Sequence, residues 1–144
     1  MGAPPIVLKT ERAILKMNKQ LVFVYGTLRR GGVRAMPELF PRATFVGSGS
    51  VRGSLYDMGE YPGLQLDDSG SMVTGEVYEI DDETLGRLDE IEAPAHYRRT
   101  ETEVSLGSYR VTCWVYLFDP DFYPEVELIA SGDWIEYAGT KESG

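Results

Sequence analysis

The chain has 144 residues, a length typical of a single domain with one hydrophobic core. Its net charge of -9 and its pI near 4.6 disfavour nucleic acid and anionic membrane surfaces as partners, since both select a basic footprint. The single cysteine, Cys113, and single histidine, His96, argue against a disulfide or a metal centre. No apolar run reaches a membrane span, so we expect a protein of the reducing cytoplasm.

Residues 1–20 differ in character from the rest of the chain. They show no strand-like alternation, which indicates a peripheral or disordered N-terminal extension. Met17 lies shortly before the first predicted strand and is a candidate native start of the ordered domain. Residues 21–144 are predicted to form one domain.

From residue 21 onward, glycines and other turn-forming residues separate short apolar runs, as is typical of a mostly β protein. Residues 21–25 are an apolar run of β-forming side chains that ends at Gly26, which predicts a first strand. Residues 44–58 contain two strand-like pieces, and glycines at 47, 49 and 53 predict a bend or bulge.

Residues 72–80 alternate in polarity, which predicts a strand with Val73 and Val77 on one face. Tyr78 and Ile80 occupy the other face. The period then changes, and the acidic run that starts at Asp81 predicts the first turn of a helix, where the macrodipole favours negative charge.

Residues 97–106 and 109–118 resemble the two arms of a hairpin. The second arm is apolar on both faces and is predicted to be a central strand. A loop with one helical turn follows, before Asp133 and Trp134 near the end. About six or seven strands and one clear helix predict an α+β domain built on a small curled sheet or barrel.

The helix after Ile80 carries a carboxylate on its apolar side. At roughly 100° per residue, Glu92 falls between Leu85 and Leu88, whereas Asp89 lies about 100° from the apolar centre and Glu90 nearly opposite. A carboxylate among leucines at a helix C-terminus tends toward a raised pKa, which suits a proton-shuttling group. The alternative interpretation is a surface residue, because Pro94 interrupts the last turn.

The second candidate site is the end of the first strand, at Tyr25, Gly26, Thr27 and Leu28. A strand that breaks at glycine exposes consecutive backbone amides and lets a ligand approach the backbone closely. Such a turn suits a carboxylate or an oxyanion, although an ordinary strand-to-loop turn has the same sequence pattern. The next residues, Arg29 and Arg30, are expected to face solvent.

Other candidates carry weaker signals. No elbow motif supports a catalytic triad of a serine with His96. Cys113 lies within a predicted strand, where a buried and inert thiol is expected. The segment Tyr61-Pro62-Gly63 is predicted to be a turn and could also form an apolar pocket wall.

Taken together, five segments resemble the γ-glutamylcyclotransferase-like family, in particular its γ-glutamylamine cyclotransferase (AIG2-like) branch. They occur in the family's order and cover about residues 21–137. The matching segments are VFVYGTLRRG, YPGL, GEVYEID, LDEIEAPAHYRR and SGDW.

The resemblance implies a small mixed β-barrel of about six or seven strands with flanking helices. It implies that Glu92 is the catalytic carboxylate, that the loop of Tyr25 to Leu28 binds substrate, and that Tyr97 lines the pocket. The implied partner is a small γ-glutamyl compound, and no cofactor or metal is required. In the implied reaction the α-amine attacks the γ-carbonyl, releasing 5-oxoproline and an amine.

Two further hypotheses remain open at this point. One is a non-catalytic module that binds a small amino-acid-like ligand, with Glu92 recognising its ammonium group. The other is a glycosidase-like hydrolase that uses Glu90 and Glu92, although neighbours on a helix point to different faces.

Overall fold

A computed structural model describes residues 19–29, 31–32 and 35–143 of the chain. Within these residues there are three α-helices, α1 (Met36–Leu39), α2 (Asp82–Glu92) and α3 (Trp134–Ser143), and short 3-10 turns at Ala93–Ala95 and Pro120–Phe122. The strands are β1 (Lys19–Val24), β2 (Thr44–Asp57), β3 (Pro62–Leu66), β4 (Ser71–Asp81), β5 (Tyr97–Leu106), β6 (Tyr109–Phe118) and β7 (Glu127–Leu128).

The first strand starts slightly earlier than predicted, at Lys19 rather than at residue 21. The extension predicted for residues 1–20 therefore overlaps β1 at its last two positions. Residues 1–18, including the candidate start Met17, lie outside the described residues.

The sheet closes into a small barrel. Its strand order is β3-β2-β4-β1-β6-β5, and β2 also pairs with β5 through Ser50 and Ser105. Strands β2, β4, β1, β6 and β5 therefore form a ring, while β3 and β7 extend it along β2. The pairing of β1 with β6 is parallel and the other pairings are antiparallel. The predicted α+β class and mixed β-barrel are confirmed.

The two faces of the barrel strands bury two separate apolar clusters. Val73 and Val77 belong to the cluster inside the barrel, with members from every strand of the ring. Tyr78 and Ile80 belong to the cluster on the outer face, which α2 covers. The alternation predicted for residues 72–80 is therefore confirmed.

The bend predicted from the glycines of residues 44–58 lies within one continuous strand, not between two. β2 pairs with β4 from Thr44 to Gly53, and the register shifts between Phe45 and Gly47. The sequence predicted a turn at Tyr61-Pro62-Gly63. This prediction is wrong for Pro62 and Gly63, because both residues pair with β2 as the start of β3.

Helix α2 begins and ends as the sequence indicated. Asp81 caps it by accepting a hydrogen bond from the Thr84 amide at 2.8 Å. Leu85 and Leu88 are buried on its inner side. The helix ends at Glu92 and continues into a 3-10 turn that contains Pro94. Its C-terminal end is thereby fixed above one end of the barrel.

Strand β6 lies between β1 and β5, as expected for a strand that is apolar on both faces. Burial raises the pKa of the Cys113 thiol on this strand to about 12, so the expected inert thiol is consistent with its surroundings. The structure adds elements that the sequence patterns did not predict: α1, β3, β7 and α3. Of the helices in the described part of the chain, none combines the length and apolar character needed to cross a membrane.

Two glycines provide a test of barrel packing. A β-carbon at Gly75 would lie 2.3 Å from the Val24 carbonyl oxygen, whereas one at Gly86 in α2 would meet nothing within 4 Å. We expect Gly75→Ala to lower the free energy of unfolding by roughly 1 to 3 kcal/mol. Gly86→Ala should raise it by about 0.5 to 1 kcal/mol, because alanine favours the helix. Denaturant unfolding measures both, and equal effects would contradict this packing.

Candidate active site

A cavity of about 270 Å³ opens at the end of β1. This volume lies near the lower end for ligand pockets, so it suits an amino-acid-sized group better than a nucleotide. The walls come from β1 and the turn after it, the β2–β3 connection, the C-terminal end of α2, β5 and β6. The lining residues are Phe23, Val24, Tyr25, Gly26, Thr27, Leu28, Glu60, Tyr61, Pro62, Ile91, Glu92, Ala95, Tyr97 and Tyr116.

All six residues predicted for the site line this one cavity. Glu92 and Tyr97 lie on opposite sides of the 3-10 turn, and Tyr25 to Leu28 form the end of β1 and the loop after it. Of the three competing acids of α2, only Glu92 lines the cavity, while Glu90 is exposed. The structure thus brings the predicted residues together, and their roles remain predictions.

The turn segment, residues 25–28, lines the cavity. The turn closes through a hydrogen bond of 3.0 Å from the Arg29 amide to the Gly26 carbonyl, which does not use the amides of Thr27 and Leu28. A β-carbon at Gly26 would lie 2.6 Å from the Pro62 ring. The glycine is therefore required by the close approach of Pro62, whereas the sequence had suggested only an approaching ligand.

The expectation that Arg29 faces solvent is wrong. Its guanidinium is buried and donates to Glu76 at 3.0 Å and to Asp133 at 2.8 Å. Glu76 lies on β4, and Asp133 also accepts from the Glu136 amide at the start of α3. Arg29 thus ties the turn segment to the barrel and to the C-terminal helix, because a buried guanidinium needs carboxylate partners. Arg30 lies outside the described residues.

Four tyrosine side chains lie close enough to Glu92 for its charge to affect their pKa values. Burial raises the pKa of Tyr25 and Tyr97 well above the ordinary value, and the negative charge of Glu92 contributes to both shifts. The same charge contributes, after burial and hydrogen bonding to Asp89, to the raised pKa of Tyr116. Burial, Tyr61 and Glu92 together raise the pKa of Tyr123 to about 12. All four phenols are therefore protonated at neutral pH.

Hydrogen bonds hold the tyrosine rings in place. The Tyr97 hydroxyl donates to the Pro62 carbonyl at 2.8 Å, and the Tyr123 hydroxyl donates to the Ala95 carbonyl at 2.6 Å. The first bond fixes β5 against the start of β3, and the second fixes the 3-10 turn after Glu92. As a result, the cavity has rigid aromatic sides.

Sequence reasoning missed three residues near the cavity: Glu60, Tyr116 and Tyr123. Glu60 sits in the short β2–β3 connection, next to a pocket wall that the sequence did suggest at Tyr61 and Pro62. Tyr116 is one of several apolar residues on β6, and nothing in the local pattern distinguishes the side that faces the cavity. Among the described residues, no group of three His, Cys, Asp or Glu side chains could hold a metal ion.

A carboxylate and a strand-end turn that line one amino-acid-sized cavity are the kinds of group that proton transfer at a small carbonyl substrate requires. The family model for γ-glutamyl cyclotransferase, AIG2-like, matches residues 22–136. The chain belongs to this family, and it is accordingly an enzyme of the cyclotransferase type.

Individual relatives agree with this placement. A Vibrio cholerae protein, named as a predicted γ-glutamylcyclotransferase, is 37% identical over 82% of this chain and 97% of its own length. The γ-L-glutamyl-butirosin B γ-glutamyl cyclotransferase of Niallia circulans is 36% identical over 85% of this chain and 80% of its own length. The crystal structure of an AIG2-like protein of Mus musculus superposes with a TM-score of 0.66 at 32% identity, covering 78% of this chain and 87% of that one.

The Arg29 network predicts a large loss of stability when its centre is removed. Arg29→Met leaves two carboxylates without their shared cation, so we expect the free energy of unfolding to fall by roughly 3 kcal/mol. The matched control is Arg110→Met, because Arg110 makes an exposed ion pair with Glu103 at 3.4 Å. The control should lose no more than about 1 kcal/mol. A similar small loss for Arg29→Met in urea unfolding would contradict a structural role for the network.

Proposed function

We propose that the protein converts γ-glutamyl amines or γ-glutamyl amino acids into 5-oxoproline and a free amine. One observation carries this proposal: Glu92 and the turn segment line the same amino-acid-sized cavity. A γ-glutamyl group has an ammonium, a carboxylate and a carbonyl within a few bonds. The cavity offers a base and backbone donors for those groups.

The proposed reaction begins with one proton passing from the substrate's α-ammonium to Glu92. The neutral amine then attacks the γ-carbonyl carbon of the same molecule and forms the C–N bond of a five-membered ring. Because the two reacting atoms belong to one molecule, holding the folded conformer can supply much of the rate. The cavity's rigid tyrosine sides favour such a compact conformer.

The second half of the reaction expels the amine. Negative charge that develops on the γ-carbonyl oxygen is stabilised by amides of the turn segment, which also hold the substrate carboxylate. Glu92 delivers its proton to the leaving nitrogen as the bond from that nitrogen to the γ-carbon breaks. The ring nitrogen loses its second proton to the departing amine, so the products are 5-oxoproline and an ammonium. None of these steps calls for a metal or a cofactor.

The leaving amine defines the substrates to test. The Niallia circulans relative is named for γ-L-glutamyl-butirosin B. For this chain the candidates are a γ-glutamyl-lysine isopeptide, a γ-glutamyl dipeptide and a γ-glutamylated biosynthetic intermediate. Each contains the same γ-glutamyl half, for which the cavity's volume is suited.

We expect Glu92→Gln to reduce 5-oxoproline formation on the order of 100-fold or more, because glutamine cannot accept the ammonium proton. The measurement is chromatographic detection of 5-oxoproline after incubation with the three candidate substrates. Glu90→Gln is the matched control, since Glu90 lies on the same helix but is exposed and outside the cavity lining.

The outcomes separate the competing functions. Turnover lost with Glu92→Gln and kept with Glu90→Gln supports the proposal. Turnover that survives Glu92→Gln would remove Glu92 from the chemistry. Substrate binding by calorimetry without any 5-oxoproline from the unchanged protein would favour a binding module.

A further inference from the structure

The protons of three cavity hydroxyls are already committed to acceptors in the protein. These hydroxyls belong to Tyr25, Tyr97 and Tyr116, which we call the tyrosine wall. Tyr25 donates to the Tyr116 carbonyl, Tyr97 donates to the Pro62 carbonyl, and Tyr116 donates to the Asp89 carboxylate. A carbonyl or a carboxylate can only accept, so the direction of each bond is fixed.

A protonated phenol has one proton, and once that proton is donated its oxygen can only accept. The Tyr25 oxygen already accepts from the Leu64 amide, so the acceptor oxygens that the tyrosine wall can offer to a ligand are those of Tyr97 and Tyr116. The tyrosine wall suits a group with several N–H donors and no acceptor, as a primary ammonium is. It does not suit a carboxylate, which needs donors and has them at the turn segment.

Asp89 determines the orientation of the Tyr116 hydroxyl. Its Oδ1 atom lies 2.6 Å from the Tyr116 hydroxyl, a length typical of a hydroxyl donating to a charged carboxylate. The alternative acceptor for that proton is the Leu85 carbonyl at 3.5 Å, which is too long for a strong bond.

A second layer of contacts holds Asp89 itself. The Arg99 Nε donates to its two carboxylate oxygens at 2.9 and 3.1 Å. The Arg99 guanidinium lies 4.2 Å from the ring centroid of Trp114, whose indole donates to Gln20 at 3.1 Å. These residues line a second groove, which shares no lining residue with the cavity. Arg99 thus holds Asp89, and Asp89 holds the hydroxyl of Tyr116, a residue that lines the cavity.

We propose that Asp89 is a positioning residue, which keeps Tyr116 an acceptor so that the tyrosine wall binds the α-ammonium group of the substrate. This inference rests on the proposed function, because it assigns a place to one group of the γ-glutamyl substrate. It also sets the substrate's direction in the cavity, with the ammonium at the tyrosine wall and the carboxylate at the turn segment. Selection of a free primary amine follows from the same arrangement.

Removing Asp89 releases the Tyr116 proton. In Asp89→Ala the hydroxyl can turn toward the cavity and donate to the Glu92 carboxylate, which favours its charged form. We expect the acid limb of the kcat/KM profile to move to lower pH by roughly 0.5 to 1 unit. KM should rise on the order of tenfold, because one acceptor for the ammonium is lost.

A simple change of charge must be separated from this effect. Besides Asp89 and Glu92, the charged residues that line the cavity or the groove are Arg99 on β5, Asp82 on α2 and Glu60 before β3. The titratable residues Tyr25, Tyr61, Tyr97 and Tyr116 also line the cavity. Glu90→Ala removes the same charge from an exposed position of the same helix, and it should leave the acid limb within about 0.2 pH unit of the unchanged protein.

The decisive variant combines Asp89→Ala with Tyr116→Phe. Phenylalanine keeps the ring but has no proton to turn. Loss of the Asp89 charge acts in both backgrounds, so Asp89→Ala should move the acid limb less in the Tyr116→Phe background than in the unchanged protein. An equal shift in the two backgrounds, or a shift in the unchanged background that equals the Glu90→Ala effect, would overturn the inference. If Asp89→Ala does not fold, Tyr116→Phe still tests the ammonium contact, because an unchanged KM would overturn it. Absence of any 5-oxoproline from the unchanged protein would instead count against the proposed function.

Discussion

The buried guanidinium of Arg29 is the interaction on which the candidate site depends. It sits between Glu76 of β4 and Asp133 at the start of α3, at 3.0 and 2.8 Å. This ion network holds the turn after β1 to two other parts of the fold. The backbone of the turn segment is thereby kept in one conformation, which a set of donors for developing charge requires.

A second constraint comes from the contact between Gly26 and Pro62. The proline ring occupies the space of a β-carbon at Gly26, so the turn and the start of β3 lie against each other. Tyr97 donates to the carbonyl of the same proline at 2.8 Å. Three of the cavity walls (the turn segment, the β2–β3 connection and β5) therefore meet at Pro62, and Glu92 lines another wall at the end of α2. A compact substrate conformer is the natural occupant of such a space.

Most of the strands and helix α2 could be predicted from local sequence, because polarity repeats along a strand or a helix within a few neighbouring residues. The alternation of residues 72–80 and the wheel position of Glu92 depend only on neighbouring residues. The family resemblance pointed to the same carboxylate and turn. Glu92 and the turn segment do line one cavity. For Glu92, the helical wheel and the family resemblance had pointed to the same residue.

What could not be predicted depends on residues far apart in the chain. The partners of Arg29 lie 47 and 104 positions away, so its burial has no local signal, and a surface arginine was the natural expectation. The helical wheel placed Asp89 farther than Glu92 from the apolar side of α2. The Asp89 carboxylate nevertheless accepts a hydrogen bond from Tyr116, which lies 27 positions away in the chain. Helix α3 was also missed. Asp133, which lies at its start, is held by an ion pair with the distant Arg29, and local sequence does not show that contact.

A crystal structure of the protein with bound 5-oxoproline tests the central claim most directly, since it shows which groups of the cavity face which atoms of the product. The account predicts the ring nitrogen at Glu92 and the tyrosine wall, with the product's carboxylate at the amides of Thr27 and Leu28. Binding in the reverse direction, or outside this cavity, would contradict it.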